Sequence, residues 1–372
     1  MIRVLVGDLF QSDAQTVVNT INCVGIMGKG IALEFKKRYP EMYRDYQARC
    51  SRGEVQLGRP YVYRQLTGPW VLLFPTKDHW RSVARLEDIV RGLDCLKSHY
   101  REWGVTSLAM PPLGCGQGKL DWRIVGPTLY RHVRDLDIPV ELYAPYGTPP
   151  EELTPEFLAI SESETTLFPR ESPTQVAAAW VAVVDILDRV DVHAYHWPIG
   201  RVIFHKMIYF ATEAGVPTGL GFSPGSYGPY SAAAERLVAS LVNNGLVSES
   251  KRGRMFRVQI GPAFAEAKRT YAGQLAAWSP MLARVADLFM RVSTHQAEVA
   301  ATVHYTAAHL LSTEAQPTEQ DVLCRVIKWK QRRTPAWGQE EVAVVIRHLN
   351  ILGWINVKGS EGLPLSEESL YF

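Results

Sequence analysis

The sequence predicts an α/β domain, a mixed sheet with helices on both faces, followed by a mainly helical α+β domain. Three observations carry this. Residues 1–146 alternate short apolar runs with stretches whose apolar residues recur at helical spacing. Residues 147–173 are polar and proline-rich, with Pro149-Pro150-Glu151-Glu152, Ser161 to Thr166, and Pro169 to Pro173, and read as a linker. Residues 174–372 place apolar residues at helix spacing in several long stretches. A length of 372 residues leaves room for both domains.

Taken in order, Ile2 to Val6 and Thr16 to Thr20 read as strands, the second buried. Ile31 to Arg38 is a helix that Pro40 stops. Tyr61 to Arg64 and Val71 to Phe74 are strands joined by a Thr67-Gly68-Pro69 turn, the second ended by Pro75. Leu86, Ile89, Val90, Leu93, Leu96 and Tyr100 share a helix face. Thr106 to Met110 is a strand. Trp122 to Leu136 is a helix with Asp121 as N-cap, which Pro127 should bend or delay. Val140 to Ala144 closes the sheet. Beyond the linker, Val176 to Leu187, Ile203 to Ala214, Ala232 to Asn243, Leu275 to Val292 and Glu340 to Leu352 read as helices. Two places share the order helix, glycine, short strand, polar turn: Leu241 to Ile260 and Val345 to Gly359. Both describe winged-helix-like units, which bind DNA in some proteins and other proteins elsewhere.

Composition excludes some classes. Hydrophobic residues make up 47% and charged residues 21%, as in a water-soluble globular chain. The net charge of +2 and pI near 8.2 do not announce a nucleic-acid binder. Basic character is local, at Lys251 to Arg254 and Lys328 to Arg333. The five cysteines are scattered without CxxC spacing, so reduced thiols in a cytoplasm are expected, with no structural zinc. The amino terminus lacks a signal-peptide pattern, and no apolar run approaches the ~20 residues that span a bilayer. No membrane partner is expected.

Three segments carry chemistry. Lys77 lies at the carboxyl end of a buried strand, the edge where open α/β sheets bind ligands. A lysine there can neutralise a phosphate, donate a proton, or attack a sugar or carbonyl carbon. Loop one, Asn19 to Ala32, joins a strand to a helix. Its Gly28 and Gly30 let the backbone approach a ligand, and the helix start offers open N–H groups to an anion. It is neither a Walker loop nor a GxGxxG fingerprint. Loop two, Pro111 to Trp122, spaces Gly114, Gly116 and Gly118 so that backbone amides stay open to an anion. Two such loops can hold the two ends of a pyrophosphate. Asp8 directly after the first strand can accept a hydrogen bond from adenine N6 or simply cap a turn. Trp80 can stack on a base or pack at the domain edge, and Arg81 can meet a phosphate or lie in solvent. Cys23 and Cys115 lie in the loops without a histidine partner in sequence, so cysteine catalysis is not expected.

Gly7-Asp8-Leu9-Phe10, Asn22 with Gly28 to Ala32, and Pro112 to Gly116 resemble the macrodomain family of ADP-ribose-binding modules. The resemblance covers residues 1–146. Phe74 to Arg81 narrows it to the lysine-dependent hydrolases, and there to the DarG family of DNA ADP-ribosyl glycohydrolase antitoxins. The resemblance implies hydrolysis of the bond between ADP-ribose and a DNA base, in single-stranded DNA by expectation, without a cofactor. It implies Lys77 as catalytic residue. Asp8 and Leu9 would contact adenine. Asn22, Gly28, Gly30 and Ile31 would line the distal ribose and diphosphate, beside Thr76. Gly114, Cys115, Gly116 and Gly118 would form the phosphate loop. Related human-type hydrolases pair the lysine with an aspartate in loop two where Gly118 falls here; Asp121 lies three positions later. The second half, 174–372, would bind a DarT-type toxin; Lys206 to Ala211 with Tyr227 to Tyr230 is similar to the Panacea-type antitoxin domain. Two other readings stay open: an ADP-ribose reader without catalysis, and a DNA-binding regulator with a macrodomain as sensor.

Overall fold

The computed structural model describes residues 2–159, 177–193, 197–252, 255–313, 316–332 and 334–365. Two compact units divide the chain, Met1–Val176 and Ala177–Phe372.

The first unit is built on a six-stranded sheet in the order β1-β6-β5-β2-β4-β3. The strands are β1 (Ile2–Leu5), β2 (Thr16–Asn22), β3 (Tyr61–Tyr63), β4 (Trp70–Lys77), β5 (Leu108–Met110) and β6 (Val140–Tyr143). Only β3 runs antiparallel to its neighbour. Residues of alternate parity in β2 and β4 serve two different cores. Val18, Leu72 and Phe74 face the side covered by α3 (Leu86–His99) and α4 (Trp122–Val133). Val17, Val71 and Leu73 face the side covered by α1 (Gly30–Arg38) and α2 (Pro40–Ser51). Burial on both faces is why these strands read as continuous apolar runs rather than alternating ones. The expected mixed sheet with helices on both faces is what forms.

Several boundaries differ from expectation. Pro75 does not end β4, which continues to Lys77. β3 pairs only with Val71 to Leu73, so from Phe74 onward β4 has a neighbour on one side, where a sheet tolerates proline. Pro40 stops α1 but opens α2 at once, as proline can at a first helical position. Pro127 does not delay α4, which starts at Trp122 with the Asp121 carboxylate accepting the Arg123 N–H at 2.9 Å.

The first part of the linker expected at 147–173 is folded structure. Pro150–Leu153 form a 3-10 turn and Pro155–Ala159 a short helix, α5, both folded onto α4. Leu158 is fully buried in the α3–α4 core. The Trp122 indole donates to the Glu152 carbonyl at 3.3 Å, and the Arg123 guanidinium to the Glu152 carboxylate at 2.7 Å. Gly126 clears the room, since a Cβ there would sit 2.8 Å from Trp122 and 3.0 Å from Leu158. The polar residues of this stretch hid three apolar anchors, Leu153, Phe157 and Leu158. The remainder of the expected linker, 160–173, lies outside the described residues.

The second unit is mainly helical, as expected: α6 (Ala178–Asp191), α7 (Arg201–Glu213), α8 (Ala232–Asn243), α9 (Phe264–Thr270), α10 (Ala272–Arg291), α11 (Thr294–Thr313), α12 (Glu319–Lys330) and α13 (Gln339–Ile351). α6 packs on α10, α7 on α11, and α11 also on α12 and α13. Helix α11 went unread because it is buried almost all round, so no apolar stripe marks it. After α8, β9 (Val247–Arg252) and β10 (Met255–Ile260) form an antiparallel hairpin, so Ser248 to Arg252, expected as a polar turn, are strand, while the strand expected at Met255 to Ile260 forms. After α13 no hairpin follows among the described residues; Lys358 makes a single parallel bridge to Thr318. The short strand expected in the second winged-helix-like unit is therefore not formed among the described residues. The basic cluster beginning at Lys328 is only partly exposed: Lys328 and Arg332 face solvent, and Arg333 lies outside the described residues. Lys330 is buried, with its ammonium 3.5 Å from the Glu298 carboxylate and donating to the Ser226 carbonyl at 2.7 Å. The cluster at 251–254 lies partly outside the described residues. No helix among the described residues is long and apolar enough to cross a membrane.

Two predictions follow from this packing. Leu158→Ala should cost about 2–5 kcal/mol of unfolding free energy in the first unit, measured by denaturant titration. A cost below about 0.5 kcal/mol would mean that 150–159 is not part of the folded body. In the second unit His304 is buried, and its ring nitrogen lies 2.7 Å from the Tyr209 hydroxyl. Burial, with the nearby Arg284 charge, pushes its pKa down to about 4. Between pH 6.5 and 4 the unfolded chain therefore binds the proton that the folded chain refuses. Stability is full above 6.5 and falls by about 3 kcal/mol as pH drops toward 4. His304→Gln should flatten the melting temperature across that window; an unaltered slope excludes His304 as its source.

Candidate active site

The parallel strands β5, β2 and β4 lie side by side, so their carboxyl ends share one edge of the sheet. Loop one leaves β2, loop two leaves β5, and β4 ends in Lys77. A register shift separates the pairs Ile21–Pro75 and Asn22–Lys77, leaving Thr76 as an extra residue on β4. Such a bulge re-aims the side chain beyond it. It puts two successive buried residues, Thr76 and Lys77, at the strand end. The Thr76 hydroxyl donates to the Ile21 carbonyl at 3.4 Å and fastens the bulge to β2.

Lys77 is only 9% exposed. Its carbonyl accepts the Cys23 N–H of loop one at 3.1 Å, and its ammonium donates to the Gln117 carbonyl of loop two. One residue thus touches both glycine loops, and its side chain reaches from β4 past the end of β2. A lysine at a strand end in bulk water would do neither.

Loop one is shaped by Asn22. Its side-chain oxygen accepts the N–H groups of Val24 at 3.0 Å and Ile26 at 3.4 Å, and its amide donates to the Ile26 carbonyl at 2.6 Å. The buried Tyr46 hydroxyl of α2 braces the turn, 2.8 Å from the Asn22 carbonyl and 3.1 Å from its side-chain oxygen. Gly28 and Gly30 are exposed, and Gly30 opens α1 at φ +56. Lys29 precedes α1 without a side-chain cap, so the first helical amides, Ile31 included, stay open.

Loop two turns tightly. The Leu120 N–H reaches the Gly114 carbonyl at 3.1 Å and Lys119 the Gly116 carbonyl at 3.2 Å. The amides of Gly116, Gln117 and Gly118 donate to no protein acceptor among the described residues. Gly114 sits at φ +77, where a Cβ would come 2.8 Å from Leu120. A Cβ on Gly118 would lie 2.3 Å from the Gly114 carbonyl oxygen and 2.8 Å from Ala84. That position has no space for the aspartate of human-type hydrolases. Asp121 does not replace it, since its carboxylate is the N-cap of α4. Gly116, by contrast, faces open space.

Both loop cysteines stay protonated. Burial drives the Cys115 thiol far above its usual range, and Asp121 adds to it. Burial pushes Cys23 up to about 12, with Cys50 nearby. Neither is a thiolate nucleophile at neutral pH.

The comparisons meet this geometry. The macro domain family model matches residues 18–129. A DNA ADP-ribosyl glycohydrolase of Mycobacterium tuberculosis is 32% identical over 355 residues, spanning 91% of this chain and 96% of that protein. One from Thermus aquaticus is 30% identical over 358 residues, spanning 94% and 91%. The chain belongs to the DNA ADP-ribosyl glycohydrolase family. A Thermosipho africanus protein described as a fusion of a DNA ADP-ribosyl transferase with such a glycohydrolase is 38% identical over 172 residues, 41% of this chain and 44% of that protein.

In this glycohydrolase the residues singled out from sequence are brought to one edge in part by chain contacts already described: Asn22, Thr76, Lys77 and loop two. Asp8 and Leu9 follow β1, two strands beyond β5. The Asp8 carboxylate caps a 3-10 turn, accepting the Phe10 N–H at 3.0 Å, and Leu9 is buried, so its main chain is what it can offer a ligand. Asn22 spends its side-chain oxygen on the loop itself. Tyr46 and Gln117 were missed. The Tyr39, Tyr43, Tyr46 spacing was the available signal for a helix face under loop one, and a main-chain carbonyl such as that of Gln117 leaves no trace in sequence.

Gly118→Asp should cost at least about 2 kcal/mol of stability, measured by thermal melting, because a carboxylate is forced onto a carbonyl oxygen. Gly116→Ala should stay within about 0.5 kcal/mol. Equal tolerance at the two positions would contradict the close approach at Gly118.

Proposed function

We propose that the protein hydrolyses the N-glycosidic bond joining ADP-ribose to a base in single-stranded DNA, with Lys77 as catalytic residue. The observation that carries this is Lys77, a buried residue whose ammonium is tied to loop two. The open amides of Gly116, Gln117 and Gly118, and those at the start of α1 with Gly28 and Gly30, take the diphosphate. Gly114 and Cys115 shape the phosphate loop, and Asn22, Ile31 and Thr76 shape the wall at the distal ribose. Asp8 and Leu9 meet the adenine.

Breaking the bond develops oxocarbenium character at the sugar and negative charge on the departing base. Fixing the diphosphate places the anomeric carbon at the β4 strand end. A side chain held by a carbonyl acceptor is placed as a hydrogen-bond donor, which favours proton delivery from the Lys77 ammonium to the leaving base. Water then adds at the anomeric carbon, and the proton it sheds returns to the Lys77 amine. With the Gly118 position too crowded for a carboxylate, Lys77 works without the aspartate of human-type hydrolases. The rival route, attack by the neutral amine, leaves a lysyl adduct that reductive trapping and mass analysis would detect.

The second unit holds a DarT-type DNA ADP-ribosyl transferase toxin, so that the chain is an antitoxin by capture as well as by repair. The support is the Thermosipho africanus relative, whose description joins a transferase and a glycohydrolase in one chain. Of the basic cluster that would favour a DNA-reading role, Lys330 turns inward while Lys328 and Arg332 stay exposed.

Lys77→Ala should lower turnover on ADP-ribosylated oligonucleotide about 10²–10⁴-fold while ADP-ribose still binds by calorimetry. An undiminished rate removes the assignment. If wild-type protein binds ADP-ribose and releases no unmodified DNA, the protein is a reader. The full-length alanine variant should still co-purify with the transferase; absence of any complex removes capture.

A further inference from the structure

The segment that follows Lys77 has no part in the chemistry above, yet it closes the rim of the site. It is stitched at both ends to the glycine loops. The Asp78 carbonyl accepts the Cys23 N–H of loop one at 3.2 Å, and the Ala84 N–H donates to the Gly118 carbonyl of loop two at 3.1 Å. Between these anchors the chain makes a tight turn. The His79 N–H is held by the Asp78 carboxylate at 2.7 Å, the Ser82 N–H by the His79 carbonyl at 2.9 Å, and the Arg81 N–H by the His79 ring at 3.2 Å.

The turn carries three side chains that form one stack. The His79 and Trp80 rings lie 5.5 Å apart at an interplanar angle of 28°. The Arg81 guanidinium lies 4.4 Å from the Trp80 ring centre. Trp80 keeps 41% of its surface exposed, although most large apolar side chains of this unit are buried. Structure does not require an indole there: it anchors no core, and the turn is closed by main-chain and His79 bonds. A planar apolar ring flanked by a cation, fixed beside a buried lysine, is the equipment that binds unpaired nucleotides, with bases on the ring and phosphate on the guanidinium.

We propose that His79, Trp80 and Arg81 form a ledge on which the nucleotides flanking the modified base rest, with Trp80 as the specificity-determining residue for single-stranded DNA. This rests on the proposed hydrolysis and deepens it. The modified base is at the Lys77 ammonium, so its strand leaves the crevice over the rim that joins the two loops. The ledge is that rim. It gives the enzyme a grip on the polynucleotide that is independent of its grip on ADP-ribose.

The test compares full-length wild-type and Trp80→Ala protein on two substrates: an ADP-ribosylated single-stranded oligonucleotide, and a single ADP-ribosylated nucleoside that carries no flanking residues. Trp80→Ala should raise KM for the oligonucleotide about 5- to 100-fold with little change in kcat, the loss of one base stack. The preference of wild type for oligonucleotide over nucleoside should collapse by the same factor, and Trp80→Phe should restore most of it. Calorimetric ADP-ribose affinity serves as the folding control. The ledge is overturned if wild type cleaves both substrates without preference, or if Trp80→Ala loses equally on both. A wild-type protein that cleaves neither defeats the proposed hydrolysis itself, a result separable from failure of the ledge.

Discussion

One residue holds the two glycine loops of the first unit in register. The Lys77 carbonyl takes an N–H from loop one, and its ammonium gives a hydrogen bond to a carbonyl of loop two. Both bonds need β4 to extend past Pro75 and to bulge at Thr76, which turns Lys77 inward. A buried lysine is costly unless its charge is hydrogen-bonded, so the residue proposed as catalytic also constrains the loops around it.

The glycines of the site divide by what surrounds them. Gly114 and Gly118 are packed against backbone and neighbouring side chains, and a larger residue at either displaces the loop. Gly116 and Gly30 face open space and leave amides accessible to a ligand. Loop one follows another rule, for Asn22 and Tyr46 supply its rigidity through side-chain bonds rather than close packing. Rigid loops that present amides without moving are what electrostatic stabilisation of a diphosphate requires.

In the second unit, buried charge works beside close glycine packing: a Cβ on Gly228 would lie 2.7 Å from the Thr302 hydroxyl. Lys206 donates to the Pro229 carbonyl at 2.9 Å, and Lys330 to that of Ser226, so two ammonium groups hold one hairpin, Ser223–Gly225 with Gly228–Tyr230. Glu298 lies buried beside Lys330. Burial lowers the Lys206 pKa to about 8, with Glu298 opposing and Lys330 adding to the shift. Glu319 is fully buried; the Arg347 guanidinium, the Ser360 N–H and the Asn350 amide outweigh its desolvation and hold it below the usual carboxylate range. Removing one partner from such groups is expensive, which makes this half sensitive to polar substitutions its surface would tolerate.

By itself the sequence determined the class of each half, the strand-end position of Lys77, and the glycine loops beside it. Those features are local: apolar periodicity, turn chemistry and residue type are written along the chain. Tertiary structure alone decided which glycines are closed and which open, that Lys330 turns inward and that Pro150 to Ala159 belong to the first body. Each of these depends on what arrives from a distant segment. Ala84 and Gly114 close on Gly118, Glu298 meets Lys330, and Leu158 fills the space that Gly126 leaves, and no spacing within one segment records such an encounter.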